Sequence, residues 1–206
     1  MDNLLELIKG QMGDGLIDQL THQIGGGARR EQTAVATDGI INTLIGALAK
    51  NVTSQDGARN LDHALQRDHD GSLLDNIGDF LQGNVREEQR RTTNGAGILN
   101  HLLGNRQSGV VDMISRMSGL DQSKTGNLMT TLAPIVMGML GKQKRQNNLD
   151  AGGIMNLLTN SVQRERRDPG NPLIDMATRF LDADGDGSAL DDIAGNLLGN
   201  LFGGRR

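Results

Sequence analysis

Apolar residues along this chain recur every three or four positions in short runs, and polar or glycine-rich breaks separate the runs. That period marks helices that bury one face. The first run, Asp2 to Lys9, predicts a short helix that stops near Gly10. A second is capped by Asp14, carries Leu16, Ile17, Leu20 and Ile24 on one face, and ends at Gly25-Gly26-Gly27. A longer helix is expected from about Glu31 to Lys50, with Val35, Ile40, Ile41, Leu44, Ile45 and Leu48 as its buried stripe. Ala58 to Gln66 follows with Leu61 and Leu65, then Ser72 to Gln82 with Leu74, Ile77 and Leu81 inward.

Asn84 to Asn94, NVREEQRRTTN, holds a single apolar residue among mixed charges and reads as a linker. Beyond it the pattern returns. Gly97 to Gly104 parallels the first helix, and Val110, Val111, Ile114 and Met117 echo Leu16, Ile17, Leu20 and Gln23. The long helix comes back as Thr125 to Lys142, where Met137 to Lys142 (MGMLGK) aligns with Ile45 to Lys50 (IGALAK). Pro134 stands where the first copy has Asn42, which predicts a kink or a broken turn. Asp150 to Val162 takes the place of Ala58 to Gln66. An insertion between Ser161 and Leu181 opens with RERRDPGNP and continues as a helix started by Asn171 and Pro172. The expectation is an all-α protein of two tandem multi-helical units from an internal duplication, sharing a core. Residues 1–83 form the first unit, 84–96 the polar linker and 97–206 the second unit.

Composition sharpens this. Cysteine is absent, which removes disulfides, thiolate metal sites and cysteine nucleophiles. With no tryptophan or tyrosine and three phenylalanines, the core must be aliphatic, and stacking platforms for single-stranded nucleic acid are not to be had. A net charge of −4 favours neither a duplex nor a membrane surface as partner. The 29 glycines are scattered rather than periodic, as many short glycine-capped helices require. No signal peptide or membrane span is read, so a cytoplasmic protein is the default, with export by another route left open.

One stretch carries chemistry. Leu181 to Ile193, LDADGDGSALDDI, sets Asp182, Asp184 and Asp186 on alternate residues ahead of Gly187 and Ser188. This is the opening half of a calcium loop of the EF-hand kind, because a hard cation needs several oxygens turned to one point. Ser188 would offer its carbonyl, and Asp191 or Asp192 would close a shortened loop, since positions nine and twelve are Leu190 and Ile193. Without its twelfth ligand such a site would be weak, on the order of 10⁻⁴ M or weaker. A fainter copy, Asp68 to Ile77 (DHDGSLLDNI), has Gln66 in place of the first aspartate. Ser72-Leu-Leu-Asp75 and Ser188-Ala-Leu-Asp191 both also read as S-x-x-D capping boxes. That reading suffices for the first copy; the second has Asp182 and Asp184 to spare.

Other motifs point less sharply. His22, His63, His69 and His101 lack metal-ligand spacing and are expected on the surface. No nucleophile elbow, Walker loop or dinucleotide fingerprint is present. Lys142, Lys144 and Arg145, with Arg164, Arg166 and Arg167, flank one helix and would give a helical nucleic-acid-binding module its basic patch. Met113, Met117, Met129, Met137, Met139 and Met155 gather in the second unit, as core filling or as an adaptable groove.

GILNHLLGNRQ (Gly97 to Gln107) and SGLDQSKTGNLMTTLAPIVMGMLGK (Ser118 to Lys142) resemble the YidB-like bacterial proteins, the domain-of-unknown-function family numbered 937. The resemblance is good over Gly97 to Lys142 and weaker over Met1 to Gln82, and relatives also end in a stretch similar to Asp184 to Asp192. It implies a small all-helical module with no established enzyme activity and carries over no catalytic residue. The resulting expectation is a non-enzymatic structural or interaction protein with one low-affinity calcium loop, open to a protein partner or self-association. The alternative is nucleic-acid binding through residues 142–167.

Overall fold

The structure, a computed structural model, describes residues 4–11, 13–85 and 87–167. Among them the chain forms nine α-helices, joined in three places by short 3₁₀ turns, and no strand. They are α1 (Leu4–Gln11), α2 (Asp14–Ile24), α3 (Arg30–Asn51), α4 (Gln55–Arg67), α5 (Ile77–Leu81), α6 (Gly95–Leu103), α7 (Gln107–Ser118), α8 (Gln122–Gln146) and α9 (Ala151–Arg167). The all-α expectation holds.

Two long helices, α3 and α8, lie against each other at the centre, and the shorter ones surround them. The packing is reciprocal. α2 and α4 reach α8, while α7 and α9 reach α3. One aliphatic core results, with Ile40, Ile41, Leu44, Ile45 and Leu48 from α3 meeting Leu132, Ile135, Val136 and Leu140 from α8. α3 is covered on nearly every side, so its stripe is wider than a one-faced helix needs. Three of its buried polar residues bond to their own backbone one turn back, whereas the Thr37 hydroxyl has no partner among the described residues. Thr33 Oγ1 donates to the Arg29 carbonyl at 3.2 Å, Thr43 Oγ1 to Gly39 at 2.8 Å and Asn42 Nδ2 to Asp38 at 2.9 Å. Val35, expected in the stripe, is 41% exposed; Ala36, one step round the helix, is the buried residue.

Helix starts follow side-chain capping where a polar residue precedes the first turn. Ser54, Asn94, Asp121 and Asp150 each accept from a backbone N–H three residues on, at 2.8 to 3.0 Å. Asp14 is the first residue of α2, not its cap, and it pairs with Arg30, which also holds Asp18 at 2.9 Å. The turn between α7 and α8 explains the Ser118-Gly-Leu-Asp-Gln-Ser-Lys motif residue by residue. Gly119 takes a left-handed φ of 73° to end α7. Leu120 is buried, Asp121 caps α8, and Lys124 reaches across to the Gly26 carbonyl at 2.9 Å.

Pro134 does not break its helix: α8 runs through it from Gln122 to Gln146. Proline has no N–H for the carbonyl four residues back, Thr130, which therefore lacks its helical donor. α6 begins directly over that carbonyl. A Cβ on Gly95 would stand 1.8 Å from the Thr130 oxygen, so only glycine permits the approach. Packing on both sides of the proline carries the helix across it.

α9 extends to Arg167, so the first residues of the expected insertion belong to this helix. The Asn171–Pro172 helix start lies outside the described residues. Among the described residues, no helix is long and apolar enough to cross a membrane.

Candidate functional site

The segment after α4, Asp68-His-Asp-Gly-Ser, is pressed onto the last turns of α8 by two glycines of the MGMLGK motif. A Cβ on Gly141 would fall 1.7 Å from the His69 carbonyl oxygen, so helix backbone and loop backbone touch. Gly138 faces the Gly71 Cα and the side chain of Leu74. Gly71 itself turns with φ 98°, a conformation open to glycine. Behind this seat Leu73 is buried against the core side of the segment.

Seating the loop buries His69 to 6% exposure. Its Nδ1 has no hydrogen-bond partner. Burial pushes the imidazole below its ordinary pKa, against a weaker upward pull from the Asp68 and Asp70 carboxylates. The neighbouring carboxylates are otherwise engaged. Asp68 accepts from Arg67 Nη2 at 2.7 Å and Nε at 3.0 Å, and this pairing holds it below the usual carboxylate range, with Arg91 adding to the pull. Asp70 accepts from the Ser72 N–H at 2.9 Å, which lowers its pKa in the same sense, and stands 3.6 Å from Arg145.

His69 lines a cleft of about 440 Å³ between the ends of α3 and α4 and the first turns of α6. Leu48, Leu61, Ile98, Leu102 and Met137 form its apolar wall; Asn51, Asn60, Arg67, Asp68, Arg91, Asn94 and His101 form its polar rim. Arg91 is exposed at the mouth, and its guanidinium makes no hydrogen bond or ion pair among the described residues, although its charge is felt by Asp68. The volume is of the order that small-molecule sites occupy, roughly 300–1,000 Å³.

Several expectations meet this geometry differently. The calcium-loop residues Asp182, Asp184, Asp186, Ser188, Asp191 and Asp192 lie outside the described residues. In the fainter copy the expected Ser72-x-x-Asp75 capping box is not formed. Ser72 to Asn76 is a 3₁₀ turn, and Asp70 instead caps the Ser72 amide. Among the described residues no three His, Asp or Glu side chains gather as a metal site would need. His22, His63 and His101 are exposed as expected, but His69 is not, because its burial depends on α8, 72 residues further along the chain at Gly141. The basic runs separate. Lys142 to Arg145 ends α8 beside the start of α9, whereas Arg164 to Arg167 sits at the far end of α9, about 25 Å away for a helix of that length. Lys144 is also committed to Asp62 at 2.8 Å and to the Leu149 carbonyl at 3.1 Å.

The cleft itself was not read from the sequence. Its one local signal is a histidine set between two aspartates and followed by glycine, a pattern that reads equally as a helix start. Comparison with known proteins matches residues 6–143 to a family described as "Bacterial protein of unknown function (DUF937)". No curated protein and no solved structure matches the chain.

Proposed function

Because the chain belongs to the DUF937 family of bacterial proteins, we propose that it is a non-enzymatic binding module whose working surface is the cleft between α4 and α6. One observation carries this reading: His69, whose buried Nδ1 has no partner, is among the residues lining a cleft with an apolar wall. An unsatisfied buried polar atom costs about 1–3 kcal/mol, and a ligand that bonded to it would recover that. The lining suits binding better than covalent catalysis. It carries no hydroxyl, thiol or lysine, and its carboxylate is held by Arg67. The reciprocal packing of the two halves supports descent from an internal duplication.

A neutral probe tests the cleft. Titrating ¹⁵N-labelled protein with 1-hexanol should shift the amides of Arg67 to His69 and Asn94 to Ile98 before others. Shifts spread evenly over the surface would refute the reading. The C-terminal stretch adds a second element, a weak calcium loop with Asp182, Asp184 and Asp186 as side-chain ligands, Ser188 as carbonyl ligand and Asp191 or Asp192 closing it. Calorimetric titration with calcium and magnesium tests it. Millimolar calcium should raise the melting temperature of the native chain and leave Asp184→Ala unmoved; identical melting of both would remove the loop from the account.

A further inference from the structure

We propose that the cleft takes a small ligand bearing one oxyanion on a short apolar body, a carboxylate or a phosphate ester, with the oxyanion at Arg91. This rests on the reading of the cleft as a binding site. Charge gives the sign. The rim holds Arg67 and Arg91 against the single carboxylate of Asp68, an excess of one positive charge in a chain whose net charge is −4. Arg67 and Asp68 neutralise each other through two hydrogen bonds, so the surplus resides on Arg91.

His69 supplies the second, independent observation. It is 94% buried, counting from its 6% exposure, and its Nδ1 has no partner within the protein. Ile98, Leu102 and Met137 continue the cleft as an apolar wall, and the Asn51 and Asn60 amides mark its other rim. A ligand that is charged at one end and apolar at the other matches this order of groups. A cation would meet Arg91, and a fully apolar ligand would leave both the guanidinium and the imidazole nitrogen unmatched.

Four probes with the same hexyl body separate the outcomes on the full chain: heptanoate, hexyl phosphate, 1-hexanol and hexylammonium, each titrated against ¹⁵N-labelled protein. Heptanoate or hexyl phosphate should bind about 5- to 10-fold more tightly than 1-hexanol, the range for one solvent-accessible charge-assisted contact, and hexylammonium most weakly. Whichever of the two anions binds more tightly assigns the headgroup class. Arg91→Gln, an exposed substitution whose fold is checked by circular dichroism, should reduce the anion affinity to that of 1-hexanol and leave 1-hexanol unchanged. If 1-hexanol matches the anions, or Arg91→Gln leaves them unaffected, anion selection is wrong and the cleft reading stands. If none of the four moves the amides around His69 and Gly97, both fall.

Discussion

Replacing Gly141 with alanine sets two effects against each other, and the structure says which wins. In an exposed helix interior the change from glycine to alanine gains about 1 kcal/mol. Here the new Cβ would stand 1.7 Å from the His69 carbonyl oxygen and 2.8 Å from its carbon, where ordinary contact begins at 3.4 Å. The shortfall of about 1.7 Å falls between two backbones, and neither has a side-chain rotamer to give way. Overpacking costs about 1–3 kcal/mol when side chains can adjust, so the upper end applies. The net expectation is a loss of about 2 kcal/mol, or about 4–8 °C in melting temperature for a chain of this size. Gly126, in the same helix, has nothing within 4 Å of its would-be Cβ, so Gly126→Ala should gain about 1 kcal/mol. Urea unfolding followed by helical circular dichroism measures both, since the chain has no tryptophan to report by fluorescence. If Gly141→Ala proves as stable as the parent while Gly126→Ala gains as expected, the loop is not seated on α8 and the cleft loses its floor.

Acidity offers an independent view of the same loop. Burial lowers the pKa of His69 in the folded state, so the unfolded chain binds more protons as pH drops below the ordinary histidine value near 6.5. Stability should therefore be full above that pH and decline as pH falls below about 6.5, and His69→Gln should flatten this part of the profile measured by urea midpoints. Asp121→Ala removes the cap of α8 and should cost about 1 kcal/mol by thermal melting, an effect that Asp121→Asn mostly spares. Lys144→Met strands Asp62 in a site where both side chains are more than three-quarters buried. A loss of about 2 kcal/mol is expected, smaller than for a fully buried pair, and adding Asp62→Leu should recover most of it; equal losses in the single and double variants would show that the pair does not interact.

The helices were legible because each carries its own period. Leu16, Ile17 and Leu20 in α2, or Val110 and Ile114 in α7, declare a buried face within three turns of chain. Capping was less legible: Asp14 lies inside α2, the Ser72-x-x-Asp75 box is not formed, and Asp121, which does cap α8, was not singled out. What escaped depends on distant partners. His69 looks like a surface histidine among aspartates until Gly141 brings α8 against it. Pro134 looks like a helix breaker until α6 arrives over Thr130. Glycines read as caps divide into two kinds: Gly71 and Gly119 turn the chain, while Gly95 and Gly141 exist to let another backbone come close. Sequence pattern reports the first kind locally and is silent on the second.

The enclosure of α3 has a consequence while the protein is being made. This helix leaves the ribosome with 14 of its 22 residues destined for burial, and α8, which must lie beside it, is completed only 95 residues later, from Asn51 to Gln146. At translation speeds of about 5–20 residues per second, that is a wait of roughly 5–20 s. For that interval the nascent chain offers the largely apolar run Ile40 to Ala49 to whatever is near, which makes it a natural client for a holding chaperone. It also means that neither half of this fold is a finished object before the other has emerged.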